Sequence, residues 1–490
     1  MTEALAIAVP ALPAACGLLV QLARTPRTAD RMNVAGALAS AAVALIVAVV
    51  ALTRSTTPTH GSWYLLDGAT GVFLGVVAVI GLLSALASPA HLADHGHGLF
   101  RARRSRAWYY LGFYLFWAAL LALPLIDNLG VAWLMVEATT GASALLVAYS
   151  GRRNALEAGW KYLVLTTFGL TIALVGILVL YVGLAPRGGV LATLDWQQIA
   201  RHAHSLHGQA ALLAFLLIIG GLAAKIGWAP VHNWLPDAHS EAPPPVSALL
   251  SAALLPVVIL IAWRVLDTLG PTLHHGVAKT VFLAFGLASL AIAVPFLWRP
   301  QAWKRLLAYS SLEHMGVLAL GIGFATPLAT AGVVLHFAGH ALAKALGFYT
   351  AMPLLHHQPA AGEQPPRGVA RASSGTAAAF GVTLASLSGM PPSPLFFSEL
   401  LILLGGIAAG QLAVTLIAAA LLGLGFLGLA HALIEGLAGG EPEGRWRRGP
   451  TVRLVERLAV AIGAGLIALS ATAYLLPGWS VVRTLMRGVT

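Results

Sequence analysis

Fourteen runs of about 20 apolar residues, parted by short polar connections, constrain this chain more than any other feature. Backbone N–H and C=O groups find no water inside a bilayer, so a run of that length persists there as a helix that bonds to itself. The predicted fold is an all-α polytopic membrane protein with about 14 transmembrane helices. Composition leaves no competing class, since 58% of the 490 residues are hydrophobic and only 10% are charged. The single cysteine, Cys16, lies in the first run, which excludes disulfides and cysteine-based metal sites within the chain.

A net charge of +11 raises the question of nucleic acid, and its placement answers it. Of the 29 lysines and arginines, 20 lie in connections after odd-numbered runs, among them Arg101, Arg103, Arg104, Lys304, Arg305, Arg445 and Arg447. Connections after even-numbered runs hold five. That asymmetry is the positive-inside pattern: it predicts both termini on the non-cytoplasmic side and leaves no nucleic-acid footprint.

Two runs are broken. The run 209–230 carries Lys225 at its end and continues into Gly227-Trp228-Ala229-Pro230-Val231-His232-Asn233-Trp234-Leu235-Pro236-Asp237-Ala238-His239. The run 374–408 is interrupted by Gly389-Met390-Pro391-Pro392-Ser393-Pro394, with Glu399 just beyond. A charge beside unwound backbone at membrane depth is costly, and is a functional-site hypothesis by default.

Runs four to eight and nine to thirteen read as two copies of a five-helix unit, 107–267 and 268–436, between a three-helix segment 1–106 and a last helix with tail 437–490. Glu137 sits in the second helix of the first copy and Lys225 in its broken fourth. Glu313 and Glu399 hold the same places in the second, at offsets of 176 and 174 residues. An odd number of helices makes the second copy enter the membrane the opposite way, which predicts inverted repeats with sites near the midplane.

The ionisable groups inside these runs are the candidate site. A lone Glu137 in an apolar helix needs a partner, and Lys225 is the obvious one; the pair reads as a proton switch or as a static lock between helices. His336, His340 and Lys344 are four apart and line one helix face, where imidazoles can relay protons. The same spacing suits zinc, but there is no HExxH and no evident third ligand, so no metal is predicted. His232 and His239 flank the first break, as proton carriers or as partners for backbone freed by the prolines. Glu313 and His314 follow the basic segment Lys304–Arg305 and read as a cytoplasmic proton entrance or as interfacial packing.

Other matches carry less. Gly423-x-Gly425-x-x-Gly428 fits GxGxxG inside an apolar helix with no preceding strand, and so reads as helix packing. His91, His95 and His97 with Asp94, and His202, His204 and His207, read as solvated loop histidines. No phosphate loop, nucleophile elbow or cysteine cluster is present.

Four segments together resemble a known family: Lys225 to Ser251, Lys304 to Gly316, His340 to Ala345 and Gly389 to Glu399. They look like the antiporter-like proton-translocating subunits of respiratory complex I, of membrane-bound NiFe hydrogenases and of multisubunit sodium/proton antiporters. The Ser310-Ser311-Leu312-Glu313-His314-Met315-Gly316 wording is most similar to the hydrogenase-4 component F branch. The resemblance implies that Glu137 and Lys225 are a switching pair with Lys225 a central carrier. It implies that His336, His340 and Lys344 form the connecting row, and that Glu399 is the terminal carrier. It further implies partner membrane subunits and a peripheral redox arm that holds the iron–sulfur and NiFe or flavin cofactors, none of which this chain holds itself. The implied location is the bacterial inner membrane. One departure matters: some members carry a lysine in span eight where this chain has Pro256, so the link from Lys225 to Lys344 must use His239, water or another group. The rival expectations are a subunit of a cation/proton antiporter, of a proton-coupled inorganic-carbon uptake complex, or an inert scaffold.

Overall fold

A computed structural model describes residues 2–53, 58–94, 105–184, 193–273, 276–440, 446 and 449–475. The helices are α1 (Thr2–Val20), α2 (Pro26–Thr53) and α3 (Gly68–Asp94), then α4 (Ser105–Ala122), α5 (Leu129–Val147), α6 (Arg153–Leu184) and α7 (Trp196–His202). The first broken span is α8 (Gly208–Ile226) with α9 (Trp234–Glu241), followed by α10 (Pro244–Leu249) and α11 (Leu255–Leu269). The second unit runs through α12 (Val277–Leu297), α13 (Trp303–Phe324), α14 (Pro327–His357), α15 (Val369–Ala372), α16 (Ser374–Leu387), α17 (Pro394–Ala408) and α18 (Leu412–Ala438); α19 (Pro450–Leu475) closes the chain. A two-stranded hairpin pairs β1 (Thr59–His60) with β2 (Leu65–Leu66).

Among the described residues, 13 helices are long and apolar enough to cross a membrane. The shorter apolar pair α16 and α17 makes up the remaining, broken span. The protein is thus a multi-pass membrane protein with the predicted fold.

Both breaks use the same device. Gly227 at φ 79° ends α8, and the N–H groups of Gly227 and Trp228 both donate to the Ala223 carbonyl. Gly389 at φ 71° follows α16, where the Met390 N–H returns to the Ala385 carbonyl. A left-handed glycine lets the last carbonyls of a helix be satisfied as the chain turns away. The next half-helix in the second unit starts on Ser393, whose hydroxyl accepts from the Phe396 N–H, with Pro394 at its first turn.

The core lies where the two units meet. The span Pro244–Thr272, from α10 through α11, is buried along most of its length, and so is α13 apart from Arg305. Between α10 and α11 the chain makes a π turn, Leu250–Leu254. Pro256 follows it and has no N–H to offer the Ala252 carbonyl, so the normal helical bond is absent there and the turn widens. Trp228, in the first break, donates its indole N–H to the Met315 carbonyl on α13 at 2.9 Å. The Ala229 N–H reaches Ser289 Oγ on α12 at 3.1 Å. The first break is therefore anchored on the second unit.

Candidate functional site

Lys225 is fully buried, and its ammonium goes to α5 and α6. It donates to Thr140 Oγ1 at 2.7 Å and to the Tyr162 hydroxyl at 2.6 Å, and lies 4.5 Å from the centre of the Tyr162 ring. Tyr162 in turn meets Ser143 Oγ at 2.7 Å. Glu137, by contrast, takes a 2.7 Å hydrogen bond from Thr167 Oγ1, and its second oxygen is buried with no partner among the described residues. The expected pair is therefore not closed: no ion pair joins Glu137 to Lys225. Glu137 and Thr140 are three residues apart on one face of α5, so the lysine docks one turn along from the carboxylate.

Toward Lys344 the polar groups are His239 and several hydroxyls. His239 is buried, donates its Nδ1–H to the Leu235 carbonyl at 2.9 Å, and stacks loosely between Trp234 and Phe348, with centroids 6.2 and 5.7 Å away. Ser247 Oγ donates to the His239 carbonyl. One turn on, in the π turn, Ser251 Oγ meets Ser311 Oγ of α13 at 2.8 Å. Ser311 and Lys344 Nζ both donate to the Leu307 carbonyl, at 2.9 and 2.6 Å. A serine pair thus stands at the widened turn before Pro256, on the Lys344 side. His232 stands apart from this set, at the edge of the break with 9% of its surface exposed.

Beyond Lys344 the histidines converge. His314 Nδ1 lies 3.1 Å from His336 Nε2, and His336 Nδ1 lies 2.9 Å from Ser398 Oγ. The His340 ring is 5.0 Å from that of His314. Glu399 brings a carboxylate oxygen within 4.8 Å of a ring nitrogen of His314 and one of His336, and its carboxylate is packed on the bare face of Gly389. Glu313 and His314 lie in the middle of α13 and are buried, not at its basic end. Eleven residues into a helix is roughly 15 Å of rise, which carries both past the interface into the bundle. They belong to the interior row.

Glu313 rests on α18 at Gly425, where an added Cβ would collide with Glu313 Oε1. The GxGxxG segment does pack helices, since Gly428 lies against Leu297, and it also makes the seat for a carboxylate. Because the colliding atom ends a flexible side chain, Gly425→Ala is expected to move the carboxylate, not to unfold the helix. Thermal stability should change by about 1 kcal/mol or less, and infrared difference spectra should show a shifted Glu313 carboxyl band. An unshifted band would refute this role for Gly425.

Several partners escaped the sequence reading. Thr140, Ser143, Tyr162, Thr167, Ser251, Ser311 and Ser398 are single polar residues on apolar helices, and only their shared faces with Glu137, Glu313 and Glu399 hinted at them. Lys304 read as a topology charge, yet it is 5% exposed and donates to the carbonyls of Ser240 and Ala242. A cation there neutralises the carbonyl end of half-helix α9. Around it, a polar cavity of about 200 Å³ is lined by Glu157, Lys161, Asp237, Glu241 and Arg305. Asp237 there meets Arg305 at 3.1 Å and Lys161 at 3.5 Å. His202, His204 and His207 are exposed, but His91, read as a solvated loop histidine, is buried in the last turn of α3, and His95, His97 and the Asp94 side chain lie outside the described residues.

Residues 127–425 match the family described as NADH:quinone oxidoreductase/Mrp antiporter, TM. A hydrogenase-4 component F homolog of Methylacidiphilum infernorum is 32% identical over 396 residues, covering 78% of this chain and 80% of that protein. NADH-quinone oxidoreductase subunit N of Desulforudis audaxviator is 29% identical over 362 residues, covering 72% and 68%. Among solved structures, a chain of the membrane-bound sulfane sulfur reductase, an archaeal respiratory membrane complex, superposes with a TM-score of 0.85 at 21% identity, over 99% of this chain and 97% of that one.

Proposed function

Because this chain belongs to the NADH:quinone oxidoreductase/Mrp antiporter membrane family, we propose that it is a proton-translocating, antiporter-like subunit of a redox-driven complex of the hydrogenase or complex I type. The observation that carries the reading is the series of intramembrane polar groups, buried except for half-buried Glu137 and Glu399, that includes Lys225, the Ser251 and Ser311 pair, Lys344, the histidines and Glu399. Ionisable groups in an apolar bundle are costly, and a helix lock alone needs one pair, not a row. The names of the relatives, a hydrogenase component and a quinone oxidoreductase subunit, support the redox setting.

In this reading Glu137 and Lys225 form the switch. With the ammonium on Thr140 and Tyr162, a one-turn shift toward Glu137 binds the proton more firmly, and the return releases it to the row. Lys225 is the central carrier, His336, His340 and Lys344 relay, and Glu399 hands the proton to the far side. Moving one charge against 100 mV costs about 2.3 kcal/mol, a size that making or breaking such a contact can supply. The polar cavity beside Asp237 and Glu241 opens the cytoplasmic face. Iron–sulfur and NiFe or flavin centres, which hold the electrons, sit in partner subunits, and the assembly resides in a bacterial inner membrane with both termini of this chain outside the cytoplasm.

The test is purification of the assembly from its own membranes in mild detergent, with mass spectrometry of what copurifies. Iron–sulfur and NiFe or flavin subunits are expected. Small antiporter subunits, or a single soluble zinc-binding partner, would replace the redox drive with ion exchange or carbon uptake. Within the row, Ser311→Ala is expected to slow proton uptake by reconstituted vesicles about tenfold while costing about 1 kcal/mol of stability. Uptake at the unaltered rate would remove the serine pair from the path.

A further inference from the structure

The three residues His314, His336 and Glu399 come from α13, α14 and α17, and nothing in their sequence spacing foretells that they meet. One ligand-type atom from each lies within 4.8 Å of the others. Zinc held at about 2.0–2.1 Å by tetrahedral imidazole and carboxylate ligands keeps those atoms roughly 3.3 Å apart. His314 Nδ1 and His336 Nε2 are already 3.1 Å apart, joined by a hydrogen bond that an ion would replace.

The surrounding hydrogen bonds prepare the same set. Ser398 Oγ donates to the Leu395 carbonyl at 2.8 Å, so its lone pair accepts from His336 Nδ1–H. That fixes the proton of His336 on Nδ1 and turns the Nε2 lone pair toward His314. A ligating histidine tied through its other nitrogen is the usual arrangement behind a metal. His340 stands beside the cluster, fully buried, with its ring centre 5.0 Å from that of His314. Glu399 is the partly exposed member, next to the break between α16 and α17.

We propose that His314, His336 and Glu399 form a binding site for a divalent ion of the zinc class, with His340 the adjacent donor for a fourth position. On binding, His314 gives up the Nδ1–H that it donates to His336 Nε2, takes the Nε2–H tautomer and presents Nδ1, and Glu399 binds as the carboxylate. The site stands on this ligand geometry. Its consequence, closure of the proton row by an ion that takes the lone pairs, rests on the function proposed above.

The test uses the full-length chain in detergent and Co²⁺ as the probe, because its visible absorption reports coordination number. One Co²⁺ per chain with the intense bands of a tetrahedral site, displaced by Zn²⁺, is the expected result. Affinity should fall at least about tenfold in His336→Gln and in Glu399→Gln. The surface variant His202→Gln should bind as the unaltered chain does. Binding that survives both buried substitutions, or that is lost only with His202→Gln, overturns the site. If His336→Gln does not fold, Ser398→Ala serves, since it keeps every ligand and frees the His336 tautomer; its affinity should fall and its absorption remain tetrahedral, and unchanged affinity would again overturn the site. Proton flux is read separately in vesicles with Zn²⁺. Site-bound Zn²⁺ that leaves flux unchanged would preserve the metal site and refute the proton row.

Discussion

Lys225→Ala in the intact complex is expected to lower proton pumping about 10²-fold, the scale lost when a positioned proton carrier is removed. The side chain is fully buried and bonded to two neutral hydroxyls, those of Thr140 and Tyr162, so no other cation stands in its place. The informative companion is Lys225→Arg. Arginine keeps the charge and the helix contacts but does not give up its proton, so a carrier is lost while a structural cation is kept. Both variants should assemble, and both should fail to acidify vesicles loaded with a pH-sensitive dye. Full pumping by Lys225→Arg would make Lys225 a fixed charge and end its role as carrier.

Asp67→Ala is expected to cost about 3–5 kcal/mol of stability, because it strands a buried guanidinium. Arg264 on α11 reaches Asp67 at 3.3 Å and Thr70 at 3.0 Å, and both acidic and basic side chains are almost wholly buried. Asp67 also accepts the Thr70 N–H at 2.6 Å, which caps α3. This clamp fixes α11, whose π turn carries Ser251, against the N-terminal segment. The double variant Asp67→Leu with Arg264→Leu removes both charges and should recover most of the loss, since an apolar pair has no desolvation cost. Thermal unfolding in detergent decides the matter: a single variant as stable as the parent would show that the pair is solvated and contributes little.

Much of the architecture was legible because hydropathy is a local property. The bilayer demands self-bonded helices wherever about 20 apolar residues run together, so α1 to α6, the stretch from α10 through α11 as one run, and α12 to α14 follow from the chain with bounds a few residues off. Gly227 and Gly389 announced their breaks, since glycine followed by proline ends a helix. The rare charges, Glu137, Lys225, Glu313, Lys344 and Glu399, were visible as exceptions against an apolar ground. Their partners were not. Thr140 and Ser311 differ little from any threonine or serine in a membrane helix, where such residues satisfy themselves on the carbonyl one turn back. Lys304 was misread because the same residue type marks a topology or seals a helix end, and only burial separates the two.

The sequence by itself determined which segments cross the membrane, where two of them break, and which ionisable groups lie inside, because each is set by the local cost of placing a residue in hydrocarbon. Tertiary structure decided who meets whom. It set Lys225 on Tyr162 and not on Glu137, bridged the units with Ser251 and Ser311, seated Glu313 on Gly425, and drew His314, His336 and Glu399 to one point. Those contacts join residues 22 to 112 positions apart, and their geometry depends on how helices rotate and pack against each other, which no local pattern encodes.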